Sequence, residues 1–354
     1  MEPFVEMNAH GHEQVVLCRN PEVGLKAIIA IHDTTLGPSL GGCRFYNYST
    51  EADAMRDVLR LSRGMTYKAA VAGLDIGGGK SVIIGDPAMK SEGLFRAFGR
   101  HVESLGGRYI TAVDMNTNVE DLNFIARETK HVTGLGAHLG GSGDPSPVTA
   151  WGVFHGIRAC LDVAYGSSEV AGRTVAIQGV GNVGLHLARY LHERGARLVV
   201  SDINRRNVQR AVDELGAVVV EGDDLFEAEC DVFAPCAIGG IVNARTIEKL
   251  RCPIVAGGAN NILEDEEADA ERLGDRDILY APDYVLNAGG LMSVYAELAG
   301  WPRDKALDDA ENIFNTVKRV LHRARTQGVT TVMASRGLAD ERIESVAQIK
   351  RLRV

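Results

Sequence analysis

Residues 74–87 read LDIGGGKSVIIGDP, and a lysine directly after three glycines suggests either phosphate binding or chemistry on a small molecule. A phosphate-binding P-loop needs G-x-x-x-x-G-K-[ST] between a strand and a helix. With Gly79 as the last glycine, the first would fall on Leu74, and Gly73 is one place off. The following KSVIIG is short and β-branched, so it reads as a strand and not as the helix a P-loop requires. A nucleoside triphosphate is therefore disfavoured, and Lys80 stands as a candidate reactive amine. Lys68 lies 12 residues earlier in GMTYKAA, and both lysines have apolar neighbours. Either alone could simply snorkel from an apolar surface to water. Asp114 adds weight, because it ends the segment RYITAVD, where a chain leaving a sheet commonly places active-site groups. Its alternative role is a cap or turn before the helical NVEDLNFIARE.

A second constellation points to a dinucleotide. Gly179-Val180-Gly181-Asn182-Val183-Gly184 matches G-x-G-x-x-G, directly after the apolar TVAIQ and at the start of the helical NVGLHLARYL. Gly179 would allow the tight turn, Gly181 would let backbone approach a pyrophosphate, and Gly184 would permit close packing of helix on strand. The helix N-terminus offers unpaired N–H groups and partial positive charge to the phosphates. Asp202 ends the next expected strand, 18 residues after Gly184, where a carboxylate accepts from both ribose hydroxyls and repels a 2′-phosphate. NAD is thus favoured over NADP, a preference slightly weakened by Arg205 and Arg206.

The elements that must carry these groups divide the chain in two. RTVAIQG, RLVVSD, AVVVEG, CDVFAP, PIVAGG and ILYAPDYV read as apolar strands suited to burial on both faces, with helical segments such as NVQRAVDELG between them. That alternation predicts βαβ units and a parallel sheet. The first half reads as a separate α/β domain. It has sequential strands in EQVVLC and GLKAIIAIHD, a long helix capped at Thr50 with Asp53, an amphipathic SEGLFRAFGRHVESLGG, and strands in SVIIGDP and GRYITAVD. The Gly/Pro-rich stretch 134–150 marks the boundary, and the final RGLADERIESVAQIKRLRV is expected to return to the first domain. The expected domains are therefore 1–145 with 329–354, and 146–328.

Composition narrows the function classes. The 354 residues carry a net charge of -9 with no basic run, which speaks against nucleic acid as a partner. Six cysteines without C-x-x-C spacing argue against a zinc site or disulfide framework, and no metal is expected. The absence of a leader pattern and of any apolar run near 18 residues leaves a cytoplasmic protein as the expectation, with no membrane role.

Together LGPSLGGCRFYNY, RLSRGMTYKAAVAGLDIGGGKSVIIGDP, GRYITAVDMNT, GDPSPVTAWGV, VAIQGVGNVG, DVFAPCAIGG, GGANNIL and LYAPDYVLNAGGLMSV resemble the Glu/Leu/Phe/Val dehydrogenase family, above all its leucine, valine and phenylalanine branch. The resemblance spans nearly the whole chain in the family's order. It implies an N-terminal α/β substrate and oligomerisation domain and a Rossmann dinucleotide-binding domain with a cleft between them. By this resemblance Lys68 binds the substrate carboxylate, Lys80 is the catalytic lysine and Asp114 its catalytic partner. Gly41 and Gly42 match backbone lining the substrate pocket, with Leu40, Met65, Ala112, Leu291 and Val294 as candidate walls. Thr149, Ala237, Asn260, Asn261 and Asn287 match positions near the cofactor or the reacting carbon. The implied reaction is NAD-dependent oxidative deamination of a nonpolar L-amino acid to the 2-oxo acid and ammonia, in a homo-oligomer that is an octamer or a dimer. The three glycines would then let substrate approach the chain beside Lys80. Ala112 and the SPVTA run resemble leucine and valine enzymes, Leu291 in NAGGLMSV resembles phenylalanine and tryptophan enzymes, and DMNTN departs from the leucine-type D-V-G-T. Leucine with valine and isoleucine is the expected substrate class, phenylalanine or tryptophan the alternative, and a nonenzymatic NAD-binding regulator the alternative of another kind.

Overall fold

The structure, a computed structural model, describes residues 2–136, 139–141 and 143–351. Ala137, His138 and Ser142 of the expected boundary stretch, and residues 352–354 of the last expected helix, lie outside the described residues. The chain forms two compact units. The first comprises the chain up to Gly143, Glu297–Gly300 and the chain from Ala339, and the second comprises Asp144–Ala296 and Trp301–Leu338.

In the first unit the elements run α1 (Pro3–His10), β1 (Gln14–Asn20), β2 (Leu25–Asp33), β3 (Ser39–Tyr46), α2 (Glu51–Val71), β4 (Gly77–Ile84), α3 (Glu92–Glu103), β5 (Tyr109–Val113) and α4 (Val119–Ile125). The sheet order is β1-β2-β4-β3-β5, antiparallel from β1 to β4 and parallel across β4, β3 and β5. β3 is not among the strands expected from sequence. Gly41, Gly42 and Cys43 make its run a poor strand former on propensity, and pairing with β4 on one side and β5 on the other overrides that. One face of the sheet packs Cys43, Phe45, Ile83 and Tyr109 against Leu94, Phe95 and Phe98 of α3. The other packs Ile28, Ala30 and Val82 against Ala54, Met55, Val58 and Leu59 of α2. Alternation with period two then puts Leu40, Gly42 and Arg44, Gly78 and Lys80, and Ala112 on the α2 face.

The glycines before Lys80 do not open space for a ligand. They belong to β4 itself, and a Cβ on Gly78 would overlap the Oγ1 and backbone N of Thr66 in α2, while one on Gly79 would lie 2.7 Å from the Tyr109 ring. Their job is to let helix and tyrosine close on the strand. The same contact is held by hydrogen bonds. Thr66 Oγ1 donates to His32 Nδ1 (2.8 Å), whose Nε2 donates to the His10 carbonyl (2.8 Å). His12 Nε2 donates to the Leu59 carbonyl (3.0 Å) and sits 2.9 Å from Ser62 Oγ. Thr50 caps α2 by accepting from the Asp53 backbone N–H.

The second unit contains α5 (Ser146–Tyr165), β6 (Thr174–Gln178), α6 (Asn182–His192), β7 (Arg197–Ser201), α7 (Arg205–Leu215), β8 (Val218–Val219), β9 (Val232–Pro235), α8 (Ala244–Ile247), β10 (Ile254–Val255), α9 (Glu266–Asp275), β11 (Leu279–Tyr280), α10 (Asp283–Leu286), α11 (Gly289–Leu298), α12 (Arg303–Glu311) and α13 (Ile313–Gln327). The last residues of α11 fall in the first unit. All pairings in its sheet are parallel, in the order β11-β10-β9-β6-β7-β8, so the chain reverses direction between β6 and β9. This is the doubly wound dinucleotide-binding order, with the switch point at the strand that precedes the glycine turn. Several expected strands shrink. AVVVEG contributes only two residues, both exposed at the sheet edge, and ILYAPDYV contributes two before Pro282 ends the strand and α10 begins. The Gly/Pro-rich boundary stretch is helical from Ser146, with Pro147 in the first turn where its missing N–H costs nothing. The final helix, α14 (Thr331–Arg351), begins in the second unit and ends in the first. In the first unit Ala339, Ile343 and Val346 pack with Leu36, Tyr67 and Ala70, and Arg342 donates to the Leu74 carbonyl (2.7 Å).

Two measurements check this account. Gly78→Ala is expected to cost about 1–3 kcal/mol by overpacking, read as a lower denaturation midpoint; an unchanged midpoint contradicts the tight α2–β4 contact. His12 is held down to about 4 by burial and by the neighbouring His32. Its unfolded form takes up a proton near pH 6.5, so this histidine's contribution to stability is complete above that value and is lost as pH falls from about 6.5 to about 4. The slope is about 1 kcal/mol per pH unit for each such proton, and His12→Gln should flatten it by that amount.

Candidate active site

Lys80 lies inside β4, 5 % exposed, among backbone already committed to the sheet ladder. This is not the helix-terminal setting of a P-loop lysine. Its Nζ donates to Asp114 Oδ1 at 2.8 Å. Asp114 follows β5 directly and is not the cap of α4, a role taken by Asn118 in a capping box with Asp121. The backbone N–H of Asp114 donates to Thr117 Oγ1 (2.9 Å), whose own hydroxyl donates to the Cys43 carbonyl (2.8 Å), so the turn after β5 is tied to β3. The second carboxylate oxygen, Oδ2, accepts from Arg44 Nε at 2.8 Å. Burial alone would raise this carboxyl, but Lys80 and Arg44 outweigh it and hold Asp114 below the ordinary carboxylate range.

Arg44 is anchored in turn. Its Nη1 donates to Asp57 Oδ2 on α2 (2.8 Å), an oxygen that also accepts from the Tyr48 hydroxyl (2.6 Å). Gly42 completes the arrangement, because a Cβ there would fall 2.7 Å from the Asp114 Cβ and against the Val113 carbonyl. Its register partner on β5 is Ala112. Lys68 sits in the last turn of α2, two residues past the Thr66 that packs on Gly78, so the α2–β4 contact carries both lysines. Met65 is half-buried on the same helix, whereas Leu40 is almost wholly enclosed.

In the second unit Gly179 has a φ of 89°, which an L side chain rarely adopts, and a Cβ there would fall 2.5 Å from that of Ala237. A Cβ on Gly184 would overlap the Gly179 carbonyl, whereas one on Gly181 would meet nothing within 4 Å. Gly181 is the N-cap of α6 and makes no side-chain cap bond, so the helix presents its first N–H groups over an open position flanked by exposed Asn182 and half-buried Val183. Asp202 accepts from the Val180 N–H (2.8 Å) and the Asn204 N–H (2.7 Å), closing the glycine turn onto the end of β7. A carboxylate has about four acceptor positions, so capacity remains for a ligand hydroxyl. Asn287 Nδ2 donates to Asn260 Oδ1 (2.8 Å), and exposed Asn261 follows with a φ of 51°. Thr149 packs under Gly290, and Leu291 and Val294 lie on α11, the first buried and the second half-buried. An open, uncapped helix start beside a carboxylate at the switch point suits the pyrophosphate and ribose of a dinucleotide.

Known proteins decide the family. The model of the Glu/Leu/Phe/Val dehydrogenase dimerisation domain matches residues 12–131, and that of glutamate/leucine/phenylalanine/valine dehydrogenases matches 140–205 and 202–350. The chain belongs to the Glu/Leu/Phe/Val dehydrogenase family. It is therefore an amino acid dehydrogenase, an oxidoreductase that works with a nicotinamide dinucleotide. The leucine dehydrogenase of Geobacillus stearothermophilus is 50% identical over 351 residues, covering 99% of this chain and 95% of that one. The phenylalanine dehydrogenase of Thermoactinomyces intermedius is 46% identical over 352 residues, covering 99% and 96%. The crystal structure of L-tryptophan dehydrogenase from Nostoc punctiforme superposes with a TM-score of 0.88 at 46% identity, covering 97% of this chain and 99% of that one.

Within the dehydrogenase the structure pairs Lys80 with Asp114, both candidates from the sequence, and links to them Arg44 and Asp57, which the sequence did not single out. The available signal was Arg44 two places after Gly42, on the same face if the run is a strand, and the glycines hid that strand. Among the described residues no three His, Cys, Asp or Glu side chains are placed to hold a metal, and no helix is long and apolar enough to cross a membrane. Gly181→Ala should leave stability within about 0.5 kcal/mol of the parent while weakening dinucleotide affinity in a titration, whereas Gly184→Ala should lose about 1–3 kcal/mol. Equal effects of the two substitutions on stability would contradict the open and closed roles assigned to them.

Proposed function

We propose that this dehydrogenase oxidatively deaminates leucine, and with it valine and isoleucine, to the 2-oxo acid and ammonia, reversibly and with NAD as the acceptor. The observation that carries the reading is the buried Lys80–Asp114 pair at 2.8 Å, in a chain about half identical to several leucine dehydrogenases along nearly its full length. The candidate walls Leu40, Met65, Ala112, Leu291 and Val294 are all apolar and offer nothing to grip the distal carboxylate of glutamate.

Each residue then has a task. Lys68 pairs with the substrate carboxylate and fixes the orientation of Cα, which is a large share of the rate. The glycine turn, the start of α6 and Asp202 hold the dinucleotide, and the acidic Asp202 favours NAD over its 2′-phosphorylated form. The bound nicotinamide would supply the acceptor for the hydride that leaves Cα. Water then adds to the resulting substrate iminium carbon and gives its proton to Lys80 Nζ, which must be a neutral amine at that moment. Asp114 Oδ1, in hydrogen-bond contact with Nζ, relays the proton to the amino nitrogen, and as the C–N bond breaks the regenerated neutral Lys80 takes the remaining hydroxyl proton, so that ammonia leaves with the 2-oxo acid. Homo-oligomerisation, as an octamer or a dimer through the first unit, and a cytoplasmic setting belong to the same reading.

A second substrate reading keeps the mechanism and changes the pocket. Leu291 and the superposition on L-tryptophan dehydrogenase favour an aromatic amino acid. One methylene in an apolar pocket is worth about 1–3 kcal/mol, so activities overlap and only a rate comparison ranks them. Reduced-cofactor formation at alkaline pH, followed in parallel with leucine, valine, isoleucine, phenylalanine, tryptophan and glutamate, is expected to favour the branched aliphatics. Lys80→Ala should lower kcat by about 100-fold or more while still binding NAD. Preference for phenylalanine or tryptophan would overturn the substrate assignment, and NAD binding without turnover of any of them would support a regulator instead.

A further inference from the structure

The Lys80–Asp114 pair has a third member that the mechanism above leaves unused. Asp114 divides its two oxygens between cations, Oδ1 to Lys80 Nζ and Oδ2 to Arg44 Nε, each at 2.8 Å. Arg44 is itself held between two carboxylates, since Nη1 meets Asp57 Oδ2 at 2.8 Å, and its side chain is 17% exposed. Asp57, on α2, is fixed by the hydroxyl of Tyr48, two residues past the end of β3, at 2.6 Å and by Arg60 of its own helix at 3.0 Å. Other charged or titratable groups near this cluster, among the described residues, include the Cys43 thiol on β3, the buried Tyr109 hydroxyl on β5 and Asp121 on α4, the last paired with Lys90 at 2.6 Å. A guanidinium keeps its charge at every accessible pH and bridges in a fixed fork. A lone carboxylate beside Lys80 would stabilise the ammonium and oppose its use as a base. A carboxylate already shared with Arg44 opposes it less.

We propose that Arg44 is a positioning residue for deamination: it turns Asp114 Oδ1 toward Lys80 and, by taking a share of the carboxylate's charge, lets Lys80 act as a neutral base. The inference rests on the roles given above to Lys80 and Asp114. Arg44 acts through Asp114 alone and has no part in binding the amino acid, so its loss reaches kcat and the pH profile while KM stays near the parent value.

The test compares Arg44→Gln, Arg44→Lys, Asp114→Asn and the double variant Arg44→Gln/Asp114→Asn in the full-length enzyme, with kcat and KM for leucine measured across pH. Arg44→Gln should lower kcat by about 30-fold or more, leave KM within about threefold, and move the acidic limb of the kcat profile up by about one pH unit. Arg44→Lys restores a cation and should return the limb to within about half a unit of the parent. The double variant should be no slower than Asp114→Asn alone, because both changes break one unit. If Arg44→Gln does not fold, Arg44→Met with Asp57→Asn removes the pair together, leaves no unpaired carboxylate at position 57, and should show the same shift of the limb. Parental kcat and limb in Arg44→Gln, with Asp114→Asn inactive, overturns the inference. A fall in kcat with an unmoved limb and multiplicative losses in the double variant assigns Arg44 a purely structural role and also overturns it. Full activity in Asp114→Asn instead strikes the catalytic reading on which the inference rests.

Discussion

The closeness of α2 to β4 is the constraint from which the rest of the first unit follows. At Gly78 the helix backbone comes so near the strand that a single methyl group has no room. A contact of this kind cannot slide, because the register of helix on strand is set where Thr66 fills the place of the missing side chain. Two buried histidines then pin the helix, His32 through the Thr66 hydroxyl and His12 through the Leu59 carbonyl and Ser62. Lys68 is carried at the end of this pinned helix and Lys80 in the strand beneath it. Both amines are thereby placed by rigid elements, as the roles proposed for them in binding and catalysis require.

The same packing creates the electrostatic arrangement. Parity along β3, β4 and β5 directs Arg44, Lys80 and, at the strand end, Asp114 to the α2 face, and α2 contributes Asp57. The resulting alternation of charge satisfies each buried ion with opposite partners, without which burial would cost several kcal/mol per ion. It also keeps Asp114 ionised, as the proposed relay of a proton through this carboxylate requires. In the second unit the corresponding constraint is the turn at Gly179, closed by Ala237 on one side and by Asp202 through the Val180 N–H on the other.

Legibility from sequence followed the physical strength of each signal. The parallel sheet was readable because βαβ units repeat a pattern of apolar runs and helical spacing, and β6, α6, β7 and α7 stand close to where that pattern puts them. Elements held by tertiary pairing alone were not readable. β3 carries two glycines and a cysteine at its centre, so nothing local marks it, and with it went Arg44 and the link to Asp57. The edge run AVVVEG is β-branched enough to suggest a buried strand, yet only Val218 and Val219 pair, and both face solvent. The Gly-Gly-Gly of LDIGGGKS identified an important place for the wrong reason. Sequence shows that side chains are missing there, and only the neighbours show whether a ligand or the protein itself fills the space.

The central claim is that the Lys80 amine carries out the proton transfer of the water-addition step. Rescue of Lys80→Ala by small primary amines tests it most directly, since deleting a buried side chain leaves a cavity of matching shape. With leucine and NAD saturating, the account predicts turnover that is negligible without added amine and that rises with the concentration of the neutral amine, more for methylamine and ethylamine than for bulkier ones. Turnover by Lys80→Ala at the parental rate, indifferent to added amine, would contradict it.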